Sequence, residues 1–305
     1  MADIKLFRIK PNVEELPVSA VALEKELQTL FEKNMVTFFG ITFLRSEYTI
    51  TNGRIDSIGI DENNCPVIIE YKRSLNENVI NQGLFYLDWL LDHKADFKLL
   101  VIDKLGMEKA TEIDWSMPCV ICVANDFTKY DEHAVNQMNK NIRLVRYKMF
   151  GDDLILLEQV NAPRVTPLQE SITQDDITIT KKGKVSKTYD KSFDEQLASA
   201  SPEIIRIYES LQDYIMSLGD DISENRLKLY SAYKKLKNVV CVEVRTKSIM
   251  MYLKLTPIDV ELVDGFCRDV TSIGHWGTGD IEITIKDEND FVRAKDYILK
   301  AYQKN

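Results

Sequence analysis

Residues 53–74, GRIDSIGIDENNCPVIIEYKRS, contain the pattern that most strongly indicates how the first half of the chain folds. The run 66–69 is apolar throughout and leads directly into a Glu-Tyr-Lys tripeptide. Upstream, residues 54–60 alternate in character, which is typical of a strand with one buried face. The polar run between the two segments predicts a hairpin-like loop, so we expect this stretch to form two paired strands.

The end of the second strand carries side chains that suit hydrolysis of a phosphodiester. Alternate residues of a strand project to the same face, so Glu70 and Lys72 stand side by side while Tyr71 points away. If the two strands pair, Asp56 lies next to Glu70. Adjacent carboxylates repel each other unless a cation lies between them, and Mg²⁺ or Mn²⁺ prefers such oxygen ligands. The Lys72 ammonium would then hold a water, or offset charge on a phosphorane-like transition state.

These residues resemble the motif of a known group of nucleases. Asp56, followed by Glu70-x-Lys72 at the end of an apolar strand, is similar to the PD-(D/E)XK nuclease superfamily. The sequences of residues 53–56 and 67–72 are similar to those of its NucS-like (EndoMS) branch. Isoleucine stands before Asp56 in place of the proline that names the superfamily. The resemblance covers residues 1 to about 155 and implies an α/β, restriction-endonuclease-like core, in which a mixed sheet is flanked by helices.

The resemblance also implies an activity. A protein of this kind is expected to be a metal-dependent endonuclease that hydrolyses phosphodiester bonds in DNA, in a restriction or repair context. Asp56 and Glu70 would bind Mg²⁺ or Mn²⁺, and Lys72 would position the attacking water. The residues leave open whether the substrate is DNA or RNA. A homodimer is compatible with this interpretation, because many enzymes of this fold dimerise to cut both strands.

Two helices are expected to support the site. Gln82 and Tyr86 match the Q-x-x-x-Y motif of RecB-like nucleases and lie four residues apart, on one face of a helix. We therefore expect Gln82 to be one of the catalytic residues. The first helix carries Glu24-x-x-Leu27 with Asn34 downstream, similar to the E-x-x-L…N pattern of the NucS-like group. In such enzymes a helix glutamate often completes the metal shell, and Glu24 is the expected ligand.

Further residues are candidates for the site or for nucleic-acid contacts. Glu26 competes with Glu24 as the metal ligand, and Glu47 is a weaker alternative. We expect contacts to nucleic acid from a set of basic and aromatic residues: Arg54, Arg73, Tyr86, Lys234 and Lys235.

The second half of the chain contains a basic stretch. Between residues 225 and 255 there are eight basic residues and one acidic residue, although the net charge of the chain is −9. A local basic patch on an acidic protein is compatible with binding a polyanion. Tyr230 and Tyr233 interleave with these cations, so the stretch is expected to contact phosphates and stack on bases.

Composition and periodicity divide the chain into three parts. We predict a nuclease-like domain at residues 1–160, a polar linker at 161–200 and a small α+β domain at 201–305. The last part resembles an uncharacterised module that often follows nuclease-like cores, through residues 218–221, 234–235 and 300–302. No catalytic residues are implied for that module. Local patterns in the first domain predict helices at 18–34, 76–93 and 129–139. Besides the two strands described above, they predict strand regions at 4–9, 38–50, 98–102, 118–124, 142–147 and 154–160.

The composition also excludes some classes of protein. The chain of 305 residues has no run of 18 apolar residues, so no membrane span is expected. The N-terminus lacks the basic-then-apolar profile of a signal peptide. An odd number of cysteines, five, does not indicate a disulfide framework. We therefore expect a soluble protein of the cytoplasm.

Two other motifs have simpler interpretations. Cys119-x-x-Cys122 lies in a strand-like run, where residues three apart face opposite sides, so buried core positions are favoured over a zinc site. The glycine-rich residues 274–279 lack the lysine of a P-loop, and a turn is favoured. The competing functional hypothesis is a non-catalytic nucleic-acid-binding or assembly protein that retains the nuclease fold. The intact set of Asp56, Glu70 and Lys72 favours the enzyme.

Overall fold

The computed structural model describes residues 4–19, 23–72, 78–163 and 191–305. The chain divides into two compact units. Unit 1 is drawn from residues 1–61, 66–113 and 118–164, and unit 2 from residues 62–65, 114–117 and 165–305.

Unit 1 alternates strands and helices along the chain. Its described elements are β1 (Leu6–Arg8), β2 (Glu14–Leu16), β3 (Val18–Ser19), α1 (Glu24–Lys33), α2 (Met35–Phe39), β4 (Thr42–Ile50), β5 (Gly53–Ile60), β6 (Pro66–Lys72), α3 (Asn78–Asp92), α4 (Lys94–Leu105), α5 (Met107–Thr111), β7 (Cys119–Ala124), α6 (Lys129–Gln137), β8 (Ile142–Phe150) and β9 (Leu154–Gln159).

Seven of the nine described strands of unit 1 form a mixed sheet in the order β3-β8-β7-β6-β5-β4, with β9 also paired to β8, whereas β1 and β2 pair with each other in a separate two-stranded sheet. Strands β4, β5 and β6 are antiparallel neighbours, whereas β6, β7 and β8 run parallel. Helix α1 packs against β5 and β6, and α3 packs against β6 and β7. The predicted α/β class, a mixed sheet flanked by helices, is confirmed.

Strand β6 is central because its sequence can be covered on both faces. Every residue from Pro66 to Tyr71 is buried, and only Lys72 is partly exposed. Strands buried on both faces are continuous apolar runs rather than alternating ones. The apolar approach to Glu70 therefore places this carboxylate near the end of a strand that is buried on both faces.

Three local predictions for unit 1 are wrong. Residues 98–102 belong to helix α4, because Phe97 and Val101, four residues apart, are buried while the intervening Leu99 is 62% exposed. The helix predicted from residue 18 starts at Glu24, and β3 precedes it, paired to β8. The strand region predicted from residue 38 begins with the end of helix α2, which Gly40 terminates in a left-handed conformation.

Unit 2 is an α+β fold. Its described elements are α7 (Phe193–Ala198), α8 (Pro202–Met216), β10 (Ser223–Arg226), β11 (Ser231–Lys234), β12 (Asn238–Arg245), β13 (Ser248–Leu253), a short 3-10 helix (Pro257–Asp259), β14 (Cys267–Asp269), β15 (Ile281–Ile285) and α9 (Glu288–Lys304).

The described strands of unit 2 form a six-stranded antiparallel sheet in the order β10-β11-β12-β13-β15-β14. Helices α8 and α9 share one hydrophobic core with it, in which Leu211 and Ile298 lie among sheet residues such as Val242 and Ile283. These four side chains are fully buried.

Helix α7 lies within residues 161–200, where the polar composition predicted a linker, so the prediction is wrong for 193–198. Ser192 accepts a hydrogen bond from Glu195 N at the start of this helix, and Phe193 is buried 5.7 Å from the ring of Tyr208. One buried aromatic residue and a capping box order a segment too short to show periodicity. The other predicted domain limits stay predictions.

Candidate active site

The centre of the candidate site is the point where β5 and β6 stop pairing. Their ladder runs from Ile60 opposite Pro66 to Ser57 opposite Ile69. Asp56 and Glu70 are next in register, but their backbones do not continue the ladder, and we call this point the fork. Here a side chain of each strand binds the backbone of the other.

The fork brings the two predicted carboxylates together. The Asp56 backbone N–H donates to Glu70 Oε1 at 3.1 Å. The Tyr71 N–H donates to Asp56 Oδ2 at 3.0 Å. Each carboxylate is thus oriented by the neighbouring strand rather than by flexible surface residues, which is the rigidity that a ligand-binding pair requires. Their adjacency follows the expectation from the sequence.

Burial makes this pair electrostatically costly. Glu70 is 1% exposed, and burial, with the neighbouring Asp56 second, raises its pKa to about 8. Burial also raises the pKa of Asp56, against the lowering effects of the Tyr71 N–H and the Lys72 ammonium. A pair of carboxyl groups in this setting resists holding two negative charges unless a cation joins them.

Lys72 connects the fork to helix α1. Its side chain is 15% exposed, and Nζ lies 3.3 Å from Glu24 Oε1. Of the three glutamates considered as a further ligand, Glu24 is therefore the one that contacts a predicted catalytic residue. Glu26 accepts from Leu23 N at the start of α1, and Glu47 binds both Lys25 and Arg54.

The supporting residues on α3 are placed differently from each other. Tyr86 is 6% exposed and packs on the start of β5, where a Cβ added at Gly53 would lie 2.7 Å from Tyr86 Cε1. Burial raises the pKa of Tyr86, opposed by a hydrogen bond with the backbone of Arg54. Gln82 Oε1 is buried without a hydrogen-bond partner in the described part of the chain. Arg73 lies outside the described residues.

A buried hydrogen-bond network on α1 holds the backbone at the fork. The sequence patterns did not predict this network. Gln28 is 4% exposed, and its Nε2 lies 2.8 Å from Asp56 O, 3.1 Å from Ser46 Oγ and 2.9 Å from Glu32 Oε1. Ser57 Oγ donates to the same Glu32 oxygen at 2.7 Å. Gln28 thus binds the Asp56 carbonyl and Glu32 binds the Ser57 hydroxyl, so the network holds two consecutive residues of β5.

A signal for this network was present in the sequence. Glu24, Gln28 and Glu32 are spaced four apart, which places them on one face of a helix. The polar row runs beside the apolar stripe that contains Leu27 and Phe31, both buried. Such a row is usually interpreted as a solvated face, but here it faces β5 and the end of β6.

The residues predicted to bind nucleic acid in the second half of the chain do not form an exposed surface. Lys234 is 4% exposed, and Lys235 Nζ lies 3.3 Å from Asp221 Oδ2. Tyr230 and Tyr233 are buried, and their hydroxyls bind other side chains. The expectation that these two tyrosines stack on bases is therefore wrong, because the antiparallel sheet of unit 2 turns them inward.

The two cysteines of the Cys-x-x-Cys motif are core residues. Cys119 and Cys122 are buried in β7, as the core interpretation predicted. Among the described residues, no three His, Cys, Asp or Glu side chains are grouped closely enough to hold a metal ion. No helix in the described ranges has the length and apolar character needed to cross a membrane.

Comparison with known proteins gives one relative along nearly the whole chain. Over 289 residues the chain is 34% identical to a protein of Haemophilus influenzae (strain ATCC 51907 / DSM 11121 / KW20 / Rd) described as "Uncharacterized protein". The match covers 93% of this chain and 94% of that protein. The chain belongs to the family of that protein. Because the match extends over both units, their combination is a property of the family.

Within the family's second unit, residues 193–305 match the Domain of unknown function (DUF5655). This domain begins with the first residue of helix α7, eight residues before the limit predicted from composition.

Two solved structures align with part of the chain. A repair endonuclease from Pyrococcus abyssi is 18% identical, with a TM-score of 0.27, over 47% of this chain and 61% of that chain. The structure of an EndoMS-dsDNA2 complex is 20% identical, with a TM-score of 0.28, over 47% of this chain and 59% of that chain. The chain thus spans about three fifths of the length of each. Likeness of this size carries no argument about activity.

Replacing Glu70 by glutamine is expected to stabilise the metal-free protein near pH 8 by about 1–3 kcal/mol. Glutamine keeps an acceptor for Asp56 N–H but removes the buried charge. With the pKa of Glu70 raised from 4.5 to about 8, the folded protein retains a proton that the unfolded chain loses. The wild-type free energy of unfolding therefore falls as pH rises between those values, and Glu70→Gln removes this contribution.

Urea denaturation with EDTA at pH 5, 6, 7 and 8 measures the difference. It should be small at pH 5 and grow with pH. Asp88→Asn, which changes a carboxylate whose side chain is 72% exposed, is the control and should show no such trend. A Glu70→Gln effect that is constant with pH would contradict the proposed charge state of the fork.

Replacing Gln28 by leucine is expected to destabilise the protein by about 1–3 kcal/mol, because the buried Asp56 carbonyl loses a donor. Thr29→Val is the control: it removes a hydrogen bond to Lys25 O on the exposed side of the same helix and should cost less than about 0.5 kcal/mol. Equal unfolding free energies for Gln28→Leu and wild type would show that this network does not hold β5.

Proposed function

We propose that the chain is a divalent-metal-dependent nuclease that hydrolyses phosphodiester bonds in DNA. The observation that carries this proposal is the fork, where the buried Glu70 carboxylate, the partly buried Asp56 carboxylate and one lysine meet at the end of the central strand. Asp56 and Glu70 are the proposed metal ligands, and Lys72 is the proposed residue for the attacking water. The sequence resemblance to PD-(D/E)XK nucleases supports the same roles.

The donor set fits a hard divalent cation. Mg²⁺ is usually held by one or two carboxylates together with waters and substrate phosphate oxygens, so two ligands from the chain are sufficient. The raised pKa values of Asp56 and Glu70 support the same conclusion, because a cation would remove their mutual repulsion. When bound, such an ion polarises a phosphoryl oxygen and lowers the pKa of a ligated water.

The residues of the chain supply position and charge. Backbone N–H groups orient the two carboxylates, while Gln28 and Glu32 hold the β5 backbone behind Asp56. The Lys72 ammonium interacts electrostatically with both carboxylates of the fork, where it would orient a water and stabilise negative charge on the phosphoryl group. Glu24 keeps Lys72 Nζ in place through their ion pair. Glu24 therefore acts as a positioning residue in this proposal and not as a third ligand.

A second candidate function is retained because of one observation. Lys72 is engaged by Glu24, and an ammonium neutralised in this way is less available to water or phosphate. This favours a protein that binds nucleic acid without cleaving it. Cleavage and binding therefore have to be measured separately on the same samples.

The test is cleavage of end-labelled duplex, single-stranded and forked DNA, and of duplex RNA, with Mg²⁺, Mn²⁺ or EDTA. Glu70→Gln and Lys72→Met should each lower the cleavage rate by about 100-fold or more, since each removes charge from the reacting centre. Asp88→Asn, an exposed carboxylate of the same unit, should cleave at the wild-type rate.

Binding is followed by fluorescence anisotropy on the same DNAs. Cleavage that survives both site substitutions would place the activity elsewhere. Metal-dependent binding without cleavage by the wild type would favour the second candidate. Preference for duplex RNA over every DNA would overturn the proposed substrate.

A further inference from the structure

Unit 2 contains a groove that is lined by none of the fork residues. Lys191, Gln196, Ser199, Arg245, Thr246 and Trp276 line it, and its volume is about 270 Å³. That volume is slightly below the range of about 300–1,000 Å³ that is usual for drug-sized ligands. The Trp276 groove, as we call it, therefore suits one small planar unit rather than a folded peptide segment.

One wall of the Trp276 groove carries an acceptor without a donor. Gln196 Nε2 donates to Lys191 O and to Leu229 O, each at 2.9 Å. Two carbonyls at the amino group fix the orientation of the amide, because a flipped amide would place its oxygen against them. Gln196 Oε1 is then buried with no hydrogen-bond partner in the described part of the chain. An oxygen in this position selects a ligand with an N–H group.

A second wall presents an aromatic face. Trp276 is 48% exposed although it belongs to a loop that is fixed on both sides. Before it, the His275 ring stacks on Tyr252 with centroids 4.1 Å apart. After it, the Thr278 N–H donates to Cys241 Sγ at 3.4 Å. The indole is thus held at the surface by its neighbours, and a rigid exposed indole is a stacking platform for a planar base.

The rim of the groove is predominantly cationic. Lys191 and Arg245 line it, and Lys247 is exposed in the same β12–β13 turn as Arg245. Glu243 also lines the groove and lies 3.1 Å from Arg245 Nε. The Arg245 side chain is 55% exposed, so its remaining donors are accessible from solvent. Two lining cations against one lining acid, with the exposed Lys247 two residues beyond Arg245, favour a ligand that carries a phosphate.

We propose that the Trp276 groove binds an unpaired nucleotide within single-stranded DNA. The base stacks on Trp276, a base N–H donates to Gln196 Oε1, and Arg245 and Lys191 contact the flanking phosphates. Duplex DNA does not fit, because its bases are already paired and stacked. Every base offers an N–H donor and an aromatic face, so binding tolerates different sequences.

The test uses the full chain with EDTA, so that no cleavage occurs, and a labelled 12-nucleotide strand in an anisotropy titration. Trp276→Leu and Arg245→Gln should each weaken binding by about 10-fold or more. Trp276→Phe, which retains a stacking surface, should recover most of the affinity. Arg206→Gln removes the same charge from an exposed position on α8, and Tyr130→Leu removes a 73% exposed aromatic ring from unit 1. Both controls should bind within about 2-fold of wild type.

Further titrations distinguish single-stranded DNA from the alternative ligands. Lower affinity for the same sequence as duplex is expected, and equal affinity for duplex would overturn the proposal. Thymidine monophosphate binding as tightly as the strand would make the groove a mononucleotide site and overturn the strand assignment. An acidic peptide whose binding is lost in Trp276→Leu would replace nucleic acid by a protein ligand. The outcome is independent of cleavage at the fork, because the titrations contain EDTA and the fork residues are left unchanged in every variant.

Discussion

The exchange of hydrogen bonds at the fork is the constraint on which the first unit depends. Asp56 and Glu70 each accept an N–H from the opposite strand, at the point where a backbone carbonyl would otherwise accept it. This exchange lets β5 and β6 separate without leaving buried N–H groups unpaired, which would be costly. It also fixes the buried Glu70 carboxylate beside the partly buried Asp56 carboxylate. The same contacts that complete the sheet therefore create a site that favours a cation.

The surrounding elements hold the Asp56 and Glu70 carboxylates next to each other although their negative charges would repel. The apolar run of β6 drives Glu70 into the interior, and α1 provides a row of polar side chains that bind the backbone of β5 and the end of β6. Raised pKa values at a buried pair are more often found at functional sites than in structural ion pairs, where opposite charges lower the pKa of a carboxyl. Elsewhere in unit 1, Arg146 lies between Asp126 and Glu158 at 2.7 Å from each and illustrates the structural kind.

The sequence predicts the fork well because it depends on short-range patterns. Periodicity of two and a continuous apolar run identified β5 and β6, and pairing then placed Asp56 beside Glu70. The failures arise where tertiary contacts override local pattern. Residues 98–102 are apolar enough for a strand but bury Phe97 and Val101 at helical spacing. Lys234 and the tyrosines near it follow the composition of a binding surface, yet pairing in the sheet of unit 2 buries them. The role of Gln28 could not be inferred from its type alone, since its partners on β4 and β5 are distant in sequence.

Asp56 and Glu70 are proposed to hold one divalent cation together, and calorimetric titration with Mn²⁺ measures this binding. With the pKa of Glu70 near 8, the metal-free pair holds a proton at pH 7 that a bound cation must displace. Titrations in buffers of different ionisation enthalpy should show one ion bound with release of about one proton at pH 7, and less at pH 9. Glu70→Gln should abolish both binding and release. Binding that persists in Glu70→Gln, or wild-type binding with no proton released at pH 7, would contradict this account of the fork.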